Sequence, residues 1–81
     1  MDRKMVNFIK EQYPPGTRIR LNAMEDPYHP ILPGTEGEVD FVDDAGQLHM
    51  KWDNGRSLAL IPGEDSFAVL PPKLTTLKLY M

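Results

Sequence analysis

Leu48-His49-Met50-Lys51-Trp52-Asp53-Asn54-Gly55-Arg56-Ser57-Leu58-Ala59-Leu60-Ile61 is the stretch whose reading decides the fold. Up to Trp52, large apolar residues alternate with polar ones, the period of a half-buried strand. Asp53-Asn54-Gly55 turns the chain, and Arg56 to Ile61 reads as the returning strand. Two registers compete. A two-residue turn at Asn54-Gly55 pairs Asp53 with Arg56 and sends Leu58 and Leu60 outward beside His49 and Lys51. A three-residue loop, with Gly55 left-handed as a G1 bulge, sets Trp52 against Arg56, Met50 against Leu58 and Leu48 against Leu60. A one-residue slip turns a whole strand over, so burial decides. Burying two leucines outweighs burying Ser57 and Ala59 by a few kcal/mol. The bulged loop is therefore expected, with the Arg56 guanidinium near the Trp52 ring. The two-residue turn survives only if a second apolar face takes both leucines under the N-terminal helix.

Outward from the hairpin, the chain shows more short alternating runs. Thr17 to Met24 places Ile19, Leu21 and Ala23 on one side and Arg18, Arg20 and Asn22 on the other. Thr35 to Val42 does the same with Gly37, Val39 and Phe41 against Glu36, Glu38 and Asp40. Ser66 to Leu70 is a last short strand, closed by Pro71-Pro72. Asp43-Asp44-Ala45-Gly46 and Pro62-Gly63-Glu64-Asp65 are turns, and Glu25 to Thr35 is a proline-rich loop. Strands recurring at about ten-residue spacing indicate a small sandwich or barrel. A long first loop, a tight three-strand meander and a short last strand give the expected fold: mainly β, a five-strand SH3-like barrel over residues 14–72, with an OB-type barrel as the alternative.

Asp2 can cap a helix whose Met5, Ile9 and Tyr13, with Val6 and Phe8 beside them, lie along one side. Pro14 and Pro15 must end it. A helix of about three turns is marginal alone, so residues 1–13 are expected to dock on the barrel. After Pro72, Leu77, Leu79 and Met81 alternate like the start of another strand. Residues 73–81 are thus expected either to lead into a further domain of a longer parent or to fold back on the barrel.

Eighty-one residues suffice for one domain with a thin core. The chain has no cysteine, and no apolar run approaches the roughly 20 residues of a membrane span. A cytoplasmic monomer with no membrane association is the expectation. The net charge of -3 is unevenly spread. Between Met24 and Gly46 lie Glu25, Asp26, Glu36, Glu38, Asp40, Asp43 and Asp44 without a single Lys or Arg. Such a run is either a solvated face or a surface for a basic partner. It opposes the phosphate neutralisation on which non-specific nucleic-acid binding depends, so generic nucleic acid is not an expected partner.

The segments Tyr13-Pro14-Pro15-Gly16-Thr17-Arg18, Met24-Glu25-Asp26-Pro27-Tyr28, Pro33-Gly34-Thr35-Glu36-Gly37-Glu38-Val39, Lys51-Trp52-Asp53-Asn54-Gly55-Arg56-Ser57-Leu58 and Gly63-Glu64-Asp65 together resemble a family of small bacterial domains of unknown function, found on conjugative elements and phages. The resemblance implies an SH3-type barrel and supplies no activity. A Trp-Asp-Asn-Gly hairpin is also similar to one in SH3-like binding modules shared by the Mind-bomb and HERC ubiquitin ligases, which bears on fold more than on function.

His29 and His49 lack metal-ligand spacing, and neither a phosphate loop nor a nucleophile motif is present, so no metal, no cofactor and no catalysis are expected. Trp52 either plugs one end of the barrel or anchors a ligand. SH3-like barrels often bind peptides between the first long loop and the central hairpin. The candidate ligand contacts are accordingly Tyr28, Trp52 and Arg56 with the acids Glu25, Asp26 and Asp53. The expected function is a non-catalytic module binding a protein or peptide, within a mobile-element protein. The alternatives are a nucleic-acid-binding barrel of KOW type, which needs Arg3, Lys4, Lys10, Arg18, Arg20 and Arg56 on one patch, or an accessory domain that only orients its neighbour.

Overall fold

The computed structural model describes residues 2–24, 28 and 31–71. Helix α1 runs Arg3–Gln12. Asp2 caps it, its Oδ1 accepting from the Met5 N–H at 2.8 Å. The helix stops before Pro14, and the Pro14-to-Thr17 turn leads straight onto the sheet: the Gly16 N–H donates to the Val39 carbonyl at 2.8 Å. Val6 and Ile9 are buried and Tyr13 is half-buried, its ring meeting Phe67 edge-on at 5.7 Å. Met5 and Phe8, expected along the docked strip, are instead 48% and 55% exposed. The docked strip is Val6–Ile9–Tyr13, one step round from the expected one. Ile9 belongs to the main core cluster. Ile9→Ala should therefore cost about 2 kcal/mol, the low end for such a truncation because the helix end can settle. An unchanged melting curve would show that the helix only decorates the sheet.

Four strands form one antiparallel sheet: β1 Arg18–Ala23, β2 Glu36–Val42, β3 Leu48–Trp52 and β4 Ser66–Val69, in the order β3-β2-β1-β4. β4 thus returns beside β1, placing Leu21 opposite Phe67 and Ile19 opposite Val69. The core is built from Ile19 and Leu21 of β1, Val39 and Val42 of β2, and Leu48, Met50 and Trp52 of β3. Ile31 from the long loop and Leu60 join it.

Two bulges correct the simple alternation. In β2 the register shifts between Val39, opposite Met50, and Phe41, opposite His49. The extra residue turns Phe41 outward, where its ring stacks on His49 at 4.3 Å, and brings Val42 into the core in its place. In β1 a shift between Leu21 and Ala23 leaves Ala23 exposed rather than inward.

The larger correction concerns Arg56 to Ile61, expected as a full strand. It is hydrogen-bonded to β3 at its two ends only. The Trp52 N–H donates to the Arg56 carbonyl at 2.9 Å, and Leu48 and Leu60 exchange both backbone bonds at 2.9 and 2.8 Å. These pairs share one register, the expected one. Midway, where Met50 should pair with Leu58, the indole Nε1 of Trp52 donates to the Leu58 carbonyl at 2.9 Å. The side chain takes the acceptor that the ladder would have used, and the segment bows away. Among the described residues the sheet is thus four-stranded and unclosed, with an irregular fifth segment beside β3. Residues 73–81, expected as a tail, lie outside the described residues.

Candidate functional site

The hairpin tip follows the three-residue reading. The Gly55 N–H donates to the Trp52 carbonyl at 2.9 Å, and Gly55 has φ +89°. A side chain at Gly55 would meet nothing within 4 Å, so the backbone angle and not space requires glycine there. Asn54 Oδ1 accepts from the Arg56 N–H at 3.0 Å and fixes the exit.

Trp52 is 3% exposed, its ring lying over Gly37 of β2 and its N–H held by Leu58. The ring is buried in the core and is not presented as an exposed anchor. The expected stacking of Arg56 on the ring does not form. The ring is turned into the core, and Arg56 stays exposed, where its guanidinium keeps its hydration.

Asp53 is engaged by β1. Arg18 Nη1 and Nη2 donate to its two oxygens at 3.1 and 2.6 Å, and Glu36 lies 3.6 Å from the same guanidinium. The bond from Asp53 holds Arg18 above its ordinary pKa, against the cost of burial. Tyr28 is 89% exposed, and Glu25 and Asp26 lie outside the described residues. Of the six candidate contacts, the structure therefore brings together Trp52, Asp53 and Arg56 in one hairpin, with only Arg56 presented outward without an ion pair among the described residues.

Sequence reasoning missed two neighbouring grooves that the bowed segment creates. One, of about 400 Å³, is floored by Met24, Leu58 and Ile61 and rimmed by Gln47, Glu64 and Asp65. The other lies between His49, Arg56, Ser57 and Ala59. Leu58 and Ala59 border both. The turn beside them is held by the Asp65 carboxylate, which accepts from the Ile61 N–H at 2.8 Å.

Below the second groove His49 Nε2 pairs with Asp43 Oδ2 at 2.7 Å, while Asp43 Oδ1 accepts from the Ala45 and Gln47 N–H groups at 2.9 Å each. The Gln47 bond first, then His49, lower the Asp43 pKa below its ordinary value of about 3.9. As the pH falls, the unfolded chain takes up this proton before the folded one does. The carboxylate thus stabilises the fold fully above that value and loses its contribution as the pH falls towards the lower folded pKa. Asp43→Asn should flatten the acid limb of a stability profile below about pH 5. An unaltered acid slope would contradict this account of the turn.

Among the described residues no group of three or more His, Cys, Asp and Glu is placed to hold a metal ion, and no helix is long and apolar enough to cross a membrane. The class defined by this architecture is a small antiparallel β domain with one helix and open grooves beside its central hairpin. The chain belongs to the family described as a domain of unknown function, DUF4314, whose model matches residues 2–70. No curated protein shows significant similarity to it.

Proposed function

We propose that this domain is a non-catalytic, SH3-like interaction module that binds an extended segment of a protein in the grooves flanking Leu58 and Ala59. The observation that carries the reading is the pair of grooves itself: an apolar floor of Met24, Leu58 and Ile61, with carboxylates on one rim and Arg56 and His49 beyond. An apolar floor with a few oriented charges suits a peptide anchor. Support for the SH3-like topology comes from the long loop between β1 and β2, the tight β2–β3 turn, the return of β4 beside β1, and the backbone bonds that run Arg56 and Leu60 along β3.

The charges favour a protein over a nucleic acid. Arg18 is bound by Asp53, Lys10 reaches Asp44 at 3.1 Å, and Lys51 lies 3.7 Å from Asp40. Three of the seven described cations are so paired, and with a net charge of -3 the chain makes a poor phosphate track although Arg3, Lys4, Arg20 and Arg56 remain exposed. The test is to pan a random peptide library against the folded chain and map a recovered peptide by amide shift changes. Peptides should be recovered, with shifts at Met24, Gln47, Leu58 and Glu64. Recovery of none, with submicromolar binding of mixed-sequence oligonucleotides at about 0.15 M salt, overturns the reading in favour of a nucleic-acid barrel.

A further inference from the structure

We propose that the outer edge of the bowed segment accepts a strand from its partner, an extended aliphatic and basic peptide that hydrogen-bonds to Ser57 and Ala59. The inference rests on the interaction-module reading and names its mode of binding. Arg56, Leu58 and Leu60 direct carbonyls towards β3 and Trp52. By the alternation of a strand, the backbone groups of Ser57 and Ala59 then point the other way. Neither residue makes a backbone hydrogen bond among the described residues. Two N–H and two C=O groups spaced two residues apart are what strand addition uses.

Exposed edges are ordinarily blunted by Lys, Pro or a covering element. The run Ser57-Leu58-Ala59-Leu60-Ile61 carries no such residue before Pro62, and its outward side chains are a serine and an alanine, which let another backbone approach. The groove floored by Leu58 and Ile61 takes the aliphatic side chains of an added strand. Charge selects the rest. Exposed Glu64 and the neighbouring Asp65 rim the Ile61 end, whereas Arg56 stands at the other end. The cations of the peptide therefore belong beside Glu64, away from Arg56.

The probes are three capped, valine-rich hexapeptides: one with two lysines at one end, one with two glutamates in their place, and the lysine peptide N-methylated at alternate residues. Each is titrated into the full chain and followed by amide shifts and exchange. The lysine peptide should shift and protect the Ser57 and Ala59 amides. The glutamate and N-methylated peptides should bind at least tenfold more weakly. Ala59→Pro, which removes an N–H that bonds nothing, should weaken the lysine peptide at least tenfold while the melting temperature holds. Three results overturn the proposal: no change at Ser57 and Ala59, equal binding of the three peptides, or protection of those amides before any peptide is added, whether by the chain's own residues 73–81 or by a second copy. If library peptides shift Met24, Gln47 and Glu64 but leave the Ser57 and Ala59 amides unprotected, the edge proposal falls alone and the interaction-module reading stands; if none binds in these grooves, both fall.

Discussion

Gly37→Ala is expected to destabilise the domain by about 3 kcal/mol, the upper range for overpacking a core. A Cβ at this position would stand 2.7 Å from the Lys51 carbonyl oxygen, 2.8 Å from Trp52 Cα and 2.9 Å from Trp52 Cε3. Two of these atoms are backbone, so no side chain can swing aside. Gly37 sits opposite Trp52 in the β2–β3 ladder and is buried under the indole. Its φ is not positive, so closeness alone explains the glycine. Relief requires β3 to move away from β2, which also shifts the hairpin. In a domain of 81 residues a loss of this size takes a large share of the total stability. A melting temperature within a degree or two of the parent's would show that β3 yields freely.

The second large effect is at Trp52. Trp52→Ala should cost about 3–5 kcal/mol through lost packing and the cavity left behind. The ring is also the wedge between β3 and the bowed segment, through its bond to the Leu58 carbonyl. Trp52→Phe separates the two roles. It keeps most of the buried volume but loses the N–H donor and part of the bicyclic ring, so it should cost about 1–3 kcal/mol, less than alanine. Denaturant unfolding of the two variants checks the ordering. A phenylalanine variant as unstable as the alanine variant contradicts the division between packing and hydrogen bond.

The bulged tip was legible in the sequence because one physical quantity decided it. Only the three-residue loop buries both Leu58 and Leu60 on the side of Leu48, Met50 and Trp52, and Leu48 does face Leu60. The capping of α1 by Asp2 and its end before Pro14 were legible for the same kind of reason, since local chemistry dictates them. Bulges were not. Nothing in Val39-Asp40-Phe41-Val42 announces that Asp40 adds the extra residue, which buries Val42 and turns Phe41 outward. The rotation of the helix was missed because helical spacing gives a face but not which edge of that face meets the sheet, and Val6 and Ile9 rather than Met5 and Phe8 do so.

The candidate site was legible in part. The hairpin was singled out, but its tryptophan was read for two opposed roles, and only its burial and its bond to Leu58 separate them. Asp53, a candidate ligand contact at the loop tip, is instead bound by Arg18. This partner lies far away in sequence, and antiparallel pairing through β2 brings the two together. The grooves beside Leu58 could not be read at all. They exist because a side chain displaces a ladder hydrogen bond, which alternation does not encode. The one signal present was the small-residue pattern of Ser57 and Ala59 at positions where an edge strand ordinarily carries a guard.

Backbone and indole hydrogen exchange in the free domain tests the central claim most directly, that β3 holds the 56–61 segment by backbone bonds at its two ends while the Trp52 indole replaces the ladder bond in the middle and leaves the outer edge open. The Trp52 indole N–H and the Trp52, Leu48 and Leu60 amides should exchange slowly, while Ser57, Leu58 and Ala59 exchange fast. A slowly exchanging Leu58 amide with a fast indole N–H would mean a regular strand in which Leu58 pairs with Met50, and would contradict the account.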